Sequence, residues 1–161
     1  MQKIRKNIDQ FLAIALIITM TVLVIDVVWQ VLARYVVKSP SSFTDELARF
    51  LLIWVGLLGS AYAMGKKKHL AIDLLPSKLS EKPGRYLNIF ISVLIILFAT
   101  LVLVVGGIRL VYITLTLKQI SPALGIPLGY VYLVLPFSGI LIVMYAFLDI
   151  FDKKQEKNEA G

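Results

Sequence analysis

The chain contains no cysteine and a single histidine, His69, among its 161 residues. The absence of cysteine excludes disulfide bonds, thiol catalysis and thiolate metal ligands. A lone histidine also argues against a metal site built from several imidazoles. We read Asp73, four residues after His69, as a local hydrogen-bond or headgroup contact, and we expect no metal ion and no other cofactor.

Charge is scarce as well, since charged residues make up 17% of the chain and hydrophobic residues 58%, with a mean hydropathy of +0.83. Soluble domains are much less apolar. Four segments nearly free of charge are each long enough to cross a bilayer, at about residues 11–37, 44–65, 86–117 and 125–148. The sequence predicts an all-α membrane protein with one integral domain, residues 1–161.

Two stretches outside these spans are too polar to cross a membrane. The connection between the second and third spans contains "HLAIDLLPSKL", residues 69–79, which predicts a short interfacial segment with its leucines turned towards the lipid. The mixed-charge tail, residues 149–161, is predicted to be disordered.

The net charge of +7 would suggest nucleic acid as the partner of a soluble protein, but its distribution along this chain indicates a membrane topology instead. Twelve of the seventeen basic residues lie before the first span, between the second and third spans, or after the fourth. The positive-inside rule therefore predicts that both termini are cytoplasmic. Lys66, Lys67, Lys68 and the adjoining His69 are expected to contact anionic lipid headgroups, and a specific lipid or partner site is the alternative.

Candidate catalytic groups are also missing. No glycine loop that could cradle a phosphate, no triad and no paired-acid site can be assembled from the sequence, so we do not expect an enzyme.

The first span carries an unusual charge. Asp26 lies about 22 Å along a helix from Phe11, which places it in the outer half of the membrane. It shares a helical face with Gln30 and Arg34. Because an isolated intramembrane charge costs at least about 2.5 kcal/mol, we expect Asp26 to pair with Arg34 or with a basic residue of another span such as Arg109. A proton or sodium relay and a contact with another polypeptide are the alternatives.

The stretch "SSFTDELARFLLIW" places three charges at the start of the second span. Asp45 and Glu46 fall in the first helical turn, where the helix dipole favours negative charge. Ser42 has the spacing of a capping residue, and either carboxylate could pair with Arg49 one turn later.

Small residues then recur four apart in the second span. Gly56 with Ser60, and Gly59 with Ala63, predict a face on which another helix packs closely, within the chain or from a partner protein. Trp54 is expected to be a packing residue.

The run "ARYVVKSPSSFTDELARFLLIWVGLLGSAYAMGKKKHLAID", with "SPALGIPLG" half a chain later, resembles the small membrane subunit of tripartite ATP-independent periplasmic (TRAP) transporters. The resemblance covers the whole chain. It rests on the order of four features: an Arg–Tyr pair, an acidic pair, "ELAR", and a basic patch that ends in His and Asp.

The resemblance implies a bacterial inner-membrane transporter of three parts. A periplasmic binding protein delivers an organic acid, such as sialic acid, another sugar acid or a C4-dicarboxylate. A large subunit carries the acid inward with sodium by an elevator motion, and the small subunit braces the large one. The matching residues Arg34, Tyr35, Asp45, Glu46 and Arg49 would form a charged outer layer towards the large subunit or the binding protein.

Two rival functions remain at the level of sequence. The main one is a self-contained, proton-coupled exporter that acts as a homodimer through Asp26. The other is a membrane enzyme or its anchor subunit, which the single histidine and the lack of cysteine disfavour because neither a haem ligand pair nor a thiol redox centre can be formed.

Overall fold

A computed structural model of the chain describes residues 2–37, 41–66 and 81–158. These residues are helical except for two short connections. The helices are α1 (Gln2–Leu32, followed by a π-helical end, Ala33–Val37), α2 (Ser42–Gly65), α3 (Glu81–Phe98, followed by a π-helical segment, Ala99–Gly106), α4 (Gly107–Thr116), α5 (Leu128–Tyr132) and α6 (Val134–Asn158).

Four of the helical stretches are long and apolar enough to cross a membrane, which confirms the four predicted spans. They are span 1 (Arg5–Val36), span 2 (Ser42–Gly65), span 3 (Ile89–Thr116) and span 4 (Leu128–Asp149). Span 4 begins three residues later than predicted because residues 125–127 belong to a loop. Its helix α6 continues to Asn158, so residues 149–158 are helical where the sequence predicted disorder. Their three lysines, one glutamate and one glutamine are good helix formers.

The spans are arranged as a row rather than as a closed bundle. Span 1 packs on span 2, span 2 on span 4, and span 4 on span 3. Span 4 is accordingly the most buried of the four, while spans 1 and 3 form the edges and are largely exposed. The core consists of apolar side chains from spans 1, 2 and 4, including Leu12, Leu58, Ala61, Val134 and Tyr145.

Span 1 contacts span 2 along a single stripe. Its buried residues are Asp9, Leu12, Asp26 and Ala33, and half-buried Leu16, Thr19, Leu23 and Gln30 continue the stripe. The spacing alternates between three and four residues, which is the repeat that keeps one face of a helix against a neighbour. Asp26 and Gln30 share this stripe as predicted, whereas Arg34 is exposed.

Spans 3 and 4 approach each other closely through glycine. A Cβ atom on Gly139 of α6 would lie 2.8 Å from Leu103 Cβ and 2.9 Å from Val104 Cγ2, both in the π-helical segment of span 3. A Cβ atom on Gly107 would lie 2.8 Å from Pro136 Cδ. The close contact between spans 3 and 4 is therefore possible only because Gly107 and Gly139 carry no side chain.

The start of span 1 and the end of span 4 lie at the same end of the molecule, because Arg5 Nη1 is 3.2 Å from Asp149 Oδ1. We call this the terminal end. The opposite end, which contains the start of α2 and loop 117–127 between spans 3 and 4, is the loop end.

Gly139→Ala should destabilise the protein by about 1–3 kcal/mol, because the new methyl group overpacks the contact with Leu103 and Val104. Gly56→Ala is the matched control, since a Cβ atom there would meet nothing within 4 Å. Thermal unfolding of both variants in detergent measures the difference. Equal melting temperatures for the two variants would contradict the close contact of spans 3 and 4.

Candidate functional site

Glu46 is the centre of the polar contacts at the loop end. Its Oε2 accepts hydrogen bonds from the backbone amides of Ala123 at 2.8 Å and Leu124 at 3.1 Å. The charge of Glu46 thus fastens loop 117–127 to span 2, and the predicted ion pair with Arg49 does not form. Asp45 lies in the first turn of α2 as predicted, but Glu46, which the sequence also placed there, does not.

Loop 117–127 is ordered by its own hydrogen bonds as well. Ser121 N donates to Ile126 O and Gly125 N to Ser121 O, both at 2.9 Å, and Leu124 N donates to Ser121 Oγ at 3.1 Å. Gly125 has a φ of +68°, which a residue with a side chain adopts at a cost. The attachment of this loop to Glu46 was not predicted from the sequence.

The cations at the loop end lie at the surface. Arg34, Arg49, Arg109 and Lys118 are all exposed, and within the described ranges none lies in an ion pair with a carboxylate. Arg49 Nε instead donates to the backbone carbonyl of Asp45 at 3.3 Å. Tyr35, next to Arg34, is 74% exposed.

Asp26 does not have the partner that the sequence predicted. Its side chain is only 7% exposed, and Oδ2 is buried without a hydrogen-bond donor among residues 2–37, 41–66 and 81–158. Neither Arg34 nor Arg109 forms an ion pair with it in that part of the chain, and both residues are exposed.

The start of span 2 also differs from the predicted capping box. Ser41, not Ser42, is the residue before the helix, and its side chain makes no capping hydrogen bond. Thr44 Oγ1 donates back to Ser41 O at 3.0 Å. Half-buried Asp45 keeps its predicted place in the first turn.

The predicted packing residues of span 2 divide into two groups. Trp54 packs against the core and its Nε1 donates to Val131 O at 3.0 Å, next to the interruption between α5 and α6 at Leu133. Gly59 faces span 1, where a Cβ atom on it would lie 3.9 Å from Leu16 Cδ2, an ordinary packing distance. Gly56 and Ser60 are exposed, so they do not pack against another helix of the described chain.

A polar network at the terminal end was not predicted from the sequence. Tyr145 OH donates to Asp9 Oδ1 at 2.6 Å, and Lys66 Nζ lies 3.3 Å from Asp9 Oδ2. Arg5 donates through Nη2 to Gly65 O at 2.6 Å and through Nη1 to Asp149 Oδ1. We call these residues, Arg5, Asp9, Gly65, Lys66, Tyr145 and Asp149, the terminal network.

The terminal network ties spans 1, 2 and 4 together where they leave the apolar region. Gly65 is required by the closeness of the spans, since a Cβ atom there would lie 2.7 Å from Tyr145 Cζ and 2.9 Å from Asp9 Oδ1. Lys66, predicted to contact headgroups, pairs with Asp9 while remaining partly exposed. Lys67, Lys68 and His69, and the predicted interfacial segment, lie outside the described residues.

These contacts join separate parts of the chain. Within the three described ranges, no group of three or more histidine, cysteine, aspartate or glutamate side chains could hold a metal ion. The carboxylates that are satisfied, Asp9, Glu46 and Asp149, are bound to groups from other spans of the same chain or from the loop beside them.

Tyr145→Phe should lower the free energy of unfolding by about 1–3 kcal/mol, because the buried Asp9 carboxylate loses its short hydrogen bond. Tyr112→Phe is the control, since Tyr112 is 70% exposed. Chemical denaturation in detergent gives both values. A loss in Tyr145→Phe no larger than in the control would argue against the terminal network.

Asp26→Asn should raise the free energy of unfolding of the isolated subunit by about 1–2 kcal/mol, because it removes a buried charge that has no described partner. Arg109→Gln should leave it unchanged. If both variants are instead destabilised to the same degree in thermal unfolding, Asp26 and Arg109 form the ion pair that the sequence predicted.

Glu46→Ala should speed hydrogen exchange at the amides of Ala123 and Leu124, because Ala123 loses its acceptor and Leu124 retains only Ser121 Oγ. Glu46→Gln, which keeps a carbonyl oxygen, should have a smaller effect, and Asp45→Asn should have none. Exchange followed by mass spectrometry on peptides covering residues 119–126 checks this order. Unchanged exchange in Glu46→Ala would mean that the loop is held by other contacts.

Comparison with known proteins identifies the family. Residues 23–155, more than four fifths of the chain, match the family model for tripartite ATP-independent periplasmic transporters, DctQ component. The ectoine TRAP transporter small permease protein TeaB of Halomonas elongata is 30% identical over 148 residues, covering 89% of this chain and 74% of the relative.

The names of two further relatives include other solutes. The sialic acid TRAP transporter small permease protein SiaQ of Vibrio cholerae is 32% identical over 105 residues, 64% of this chain and 59% of its own. The isethionate TRAP transporter permease protein DctMQ of Oleidesulfovibrio alaskensis is 29% identical over 143 residues, 84% of this chain but only 22% of its own length.

The named solute thus varies among relatives of the same small subunit, and in one of them the matching region is a minor part of a longer permease. A transporter subunit of this kind is a multi-pass membrane protein and not an enzyme, and it works with a large permease subunit and a periplasmic binding protein. The chain belongs to the DctQ family, the small permease subunits of TRAP transporters.

Proposed function

We propose that this chain braces the large membrane subunit of a TRAP transporter as a fixed frame, while the large subunit carries the solute across the membrane. The observation that carries this proposal is the row of spans 1, 2, 4 and 3. Such a row has two broad apolar faces, and it is tied across three of its spans by the terminal network and fastened by Glu46 at the loop end. A rigid element with large free flanks suits a brace.

The exposed face of span 2 is the proposed contact with the large subunit. Gly56 and Ser60 are exposed there, and Ser60 also borders an apolar groove of about 370 Å³ whose walls include Met64, Phe98 and Leu103. Small residues let a neighbouring helix approach closely, which matters in lipid because there is no hydrophobic gain from association.

The proposed orientation places the terminal end in the cytoplasm of a bacterium and the loop end in the periplasm, with the protein in the inner membrane. It is supported by the twelve basic residues that the sequence places before span 1, between spans 2 and 3, or after span 4. In this orientation Lys66, Lys67, Lys68 and His69 face the inner-leaflet headgroups, with Lys66 also held by Asp9.

The proposed reaction of the complete transporter is sodium-driven uptake of an organic acid by an elevator motion of the large subunit. The acid, such as sialic acid, another sugar acid or a C4-dicarboxylate, is delivered by the periplasmic binding protein. We place the substrate and sodium sites in the large subunit, because the polar residues of the described ranges other than Asp26 are mostly engaged in contacts within this chain or lie at its surface.

Within this function the charged residues have two proposed roles. Asp45 and Glu46 order the start of span 2 and the loop beside it. Arg34, Tyr35, Arg49 and Arg109 are exposed and face the other components of the transporter. Asp26 contributes to the seam between spans 1 and 2.

One observation favours the second candidate, a self-contained proton-coupled exporter. Asp26 is buried and its Oδ2 has no donor in the described chain, as a proton-carrying carboxyl would require. The family membership of the chain supports the brace instead, since its relatives are named as small permease proteins of three-part transporters.

Reconstitution separates these functions. Proteoliposomes that contain this chain together with the large subunit and the binding protein should accumulate solute under an inward sodium gradient, and omission of this chain should abolish uptake. Asp26→Asn in the complete transporter should retain at least about half of the wild-type rate, because the brace needs no titrating group. Solute movement by this chain alone, lost in Asp26→Asn, would establish the exporter and contradict the brace.

A further inference from the structure

Asp26 is a polar side chain that the spans bury without satisfying it. Within residues 2–37, 41–66 and 81–158, its Oδ2 is the only buried side-chain nitrogen or oxygen that has no hydrogen-bond partner. Span 1 continues for about 16 Å beyond Asp26 before its helix ends at Val37. The other buried aspartate, Asp9, is held by Tyr145 and Lys66. Asp26 therefore cannot be stabilised as an ion in the way that Asp9 is.

The donors at the start of the neighbouring helix α2 are engaged elsewhere. Thr44 is buried there, and its hydroxyl donates to Ser41 O at 3.0 Å. Arg49 Nε donates to Asp45 O at 3.3 Å. Both donors serve the backbone of α2 and not the seam with span 1, so the carboxyl group of Asp26 receives no hydrogen bond from either of them.

The charged groups around Asp26 do not neutralise it either. Asp45 of α2 is close enough for the two carboxylates to repel each other. Glu46, the next residue of α2, is bound by backbone amides of loop 117–127. Arg34 and Arg49 are exposed, and neither forms an ion pair within the described ranges. A negative charge on Asp26 would thus be buried, unpaired and beside a like charge, which is a costly combination.

We propose that Asp26 is a proton-binding site, so that the seam between spans 1 and 2 contains an uncharged carboxyl group at neutral pH beside the carboxylate of Asp45. A proton on Oδ2 removes the charge, and an uncharged polar group costs much less to bury than an ion. This proton is resident, whereas the proton of an exporter is released in each transport cycle. It belongs to the seam of this subunit alone, so its absence would leave the proposed brace standing.

A resident proton links the stability of the subunit to pH. In the unfolded chain Asp26 is an ordinary aspartate, which is ionised above about pH 4. Folding therefore takes up a proton, and the folded state loses stability as the pH rises, relative to a variant that cannot titrate at this position. Asp26→Asn is such a variant, so its stability advantage over the wild type should increase with pH.

Chemical denaturation of the isolated subunit in detergent tests this linkage. The folding equilibrium constant of Asp26→Asn divided by that of the wild type should rise at least about tenfold between about pH 5 and pH 8. The same ratio measured in an Asp45→Asn background should rise less, because the neighbouring like charge is absent. A Glu46→Gln background is the matched control and should give the full rise, since Glu46 is bound to the loop. If Asp26→Asn does not fold, Asp26→Leu provides the non-titrating variant.

Infrared difference spectroscopy detects the proton itself. The spectrum of the wild type minus that of the non-titrating variant, recorded near neutral pH, should contain the absorption of a protonated carboxyl group. Replacement of sodium by choline at constant ionic strength and pH should leave the ratio of folding constants unchanged, because a proton and not a metal cation neutralises Asp26.

Three results would overturn the proton site. The first is a ratio of folding constants that stays within about twofold over the whole pH range. The second is a difference spectrum without the absorption of a protonated carboxyl group, which would mean that Asp26 is ionised in the folded subunit. The third is a wild-type stability that depends on sodium at fixed pH and loses this dependence in Asp26→Asn, which would assign the site to a metal cation.

Discussion

The structure depends on satisfying charged groups where the spans leave the apolar region. A carboxylate or guanidinium near hydrocarbon is costly unless other groups of the protein neutralise or hydrogen-bond it. At the terminal end Asp9 is held by Tyr145 and Lys66, and Arg5 by Asp149 and the carbonyl of Gly65. At the loop end Glu46 is held by backbone amides of loop 117–127. Each contact joins different parts of the chain, so the need to satisfy charge also fixes the order of the spans in the row.

This arrangement explains how a row of helices can be rigid without a closed bundle. Spans 1 and 3 each pack mainly on one neighbouring span, although Arg5 and Asp9 of span 1 also reach span 4, and lipid provides no hydrophobic drive to hold them there. Close contact through Gly139 and Gly107 holds span 3 to span 4, and the three- and four-residue stripe that includes Leu12 and Ala33 holds span 1 to span 2. Both outer flanks and the exposed face of Gly56 and Ser60 remain available to other subunits.

The sequence predicted the number of spans and most of their limits, because hydropathy and length alone decide which segments cross a bilayer. It could not predict the terminal network, since Asp9 and Tyr145 are 136 residues apart and neither lies in a recognisable motif. It placed Glu46 in a charged cluster but expected Arg49 as the partner of either Asp45 or Glu46. The actual hydrogen-bond donors to Glu46 are backbone amides, which cannot be recognised from the residue types in the sequence. For Asp26 the sequence predicted an ion pair, because an unpaired charge is costly to bury. The described part of the chain contains no such ion pair.

The central claim is that this subunit keeps its shape while the transporter works, and the absence of native cysteine allows spin labels to test it directly. Labels at Ile17→Cys in span 1 and Leu101→Cys in span 3, both exposed positions at the edges of the row, report the width of the brace in the complete transporter. Double electron–electron resonance should give one narrow distance distribution that is the same with sodium and solute as without them. A distribution that shifts or splits between the two conditions would contradict the brace and show that this subunit moves during transport.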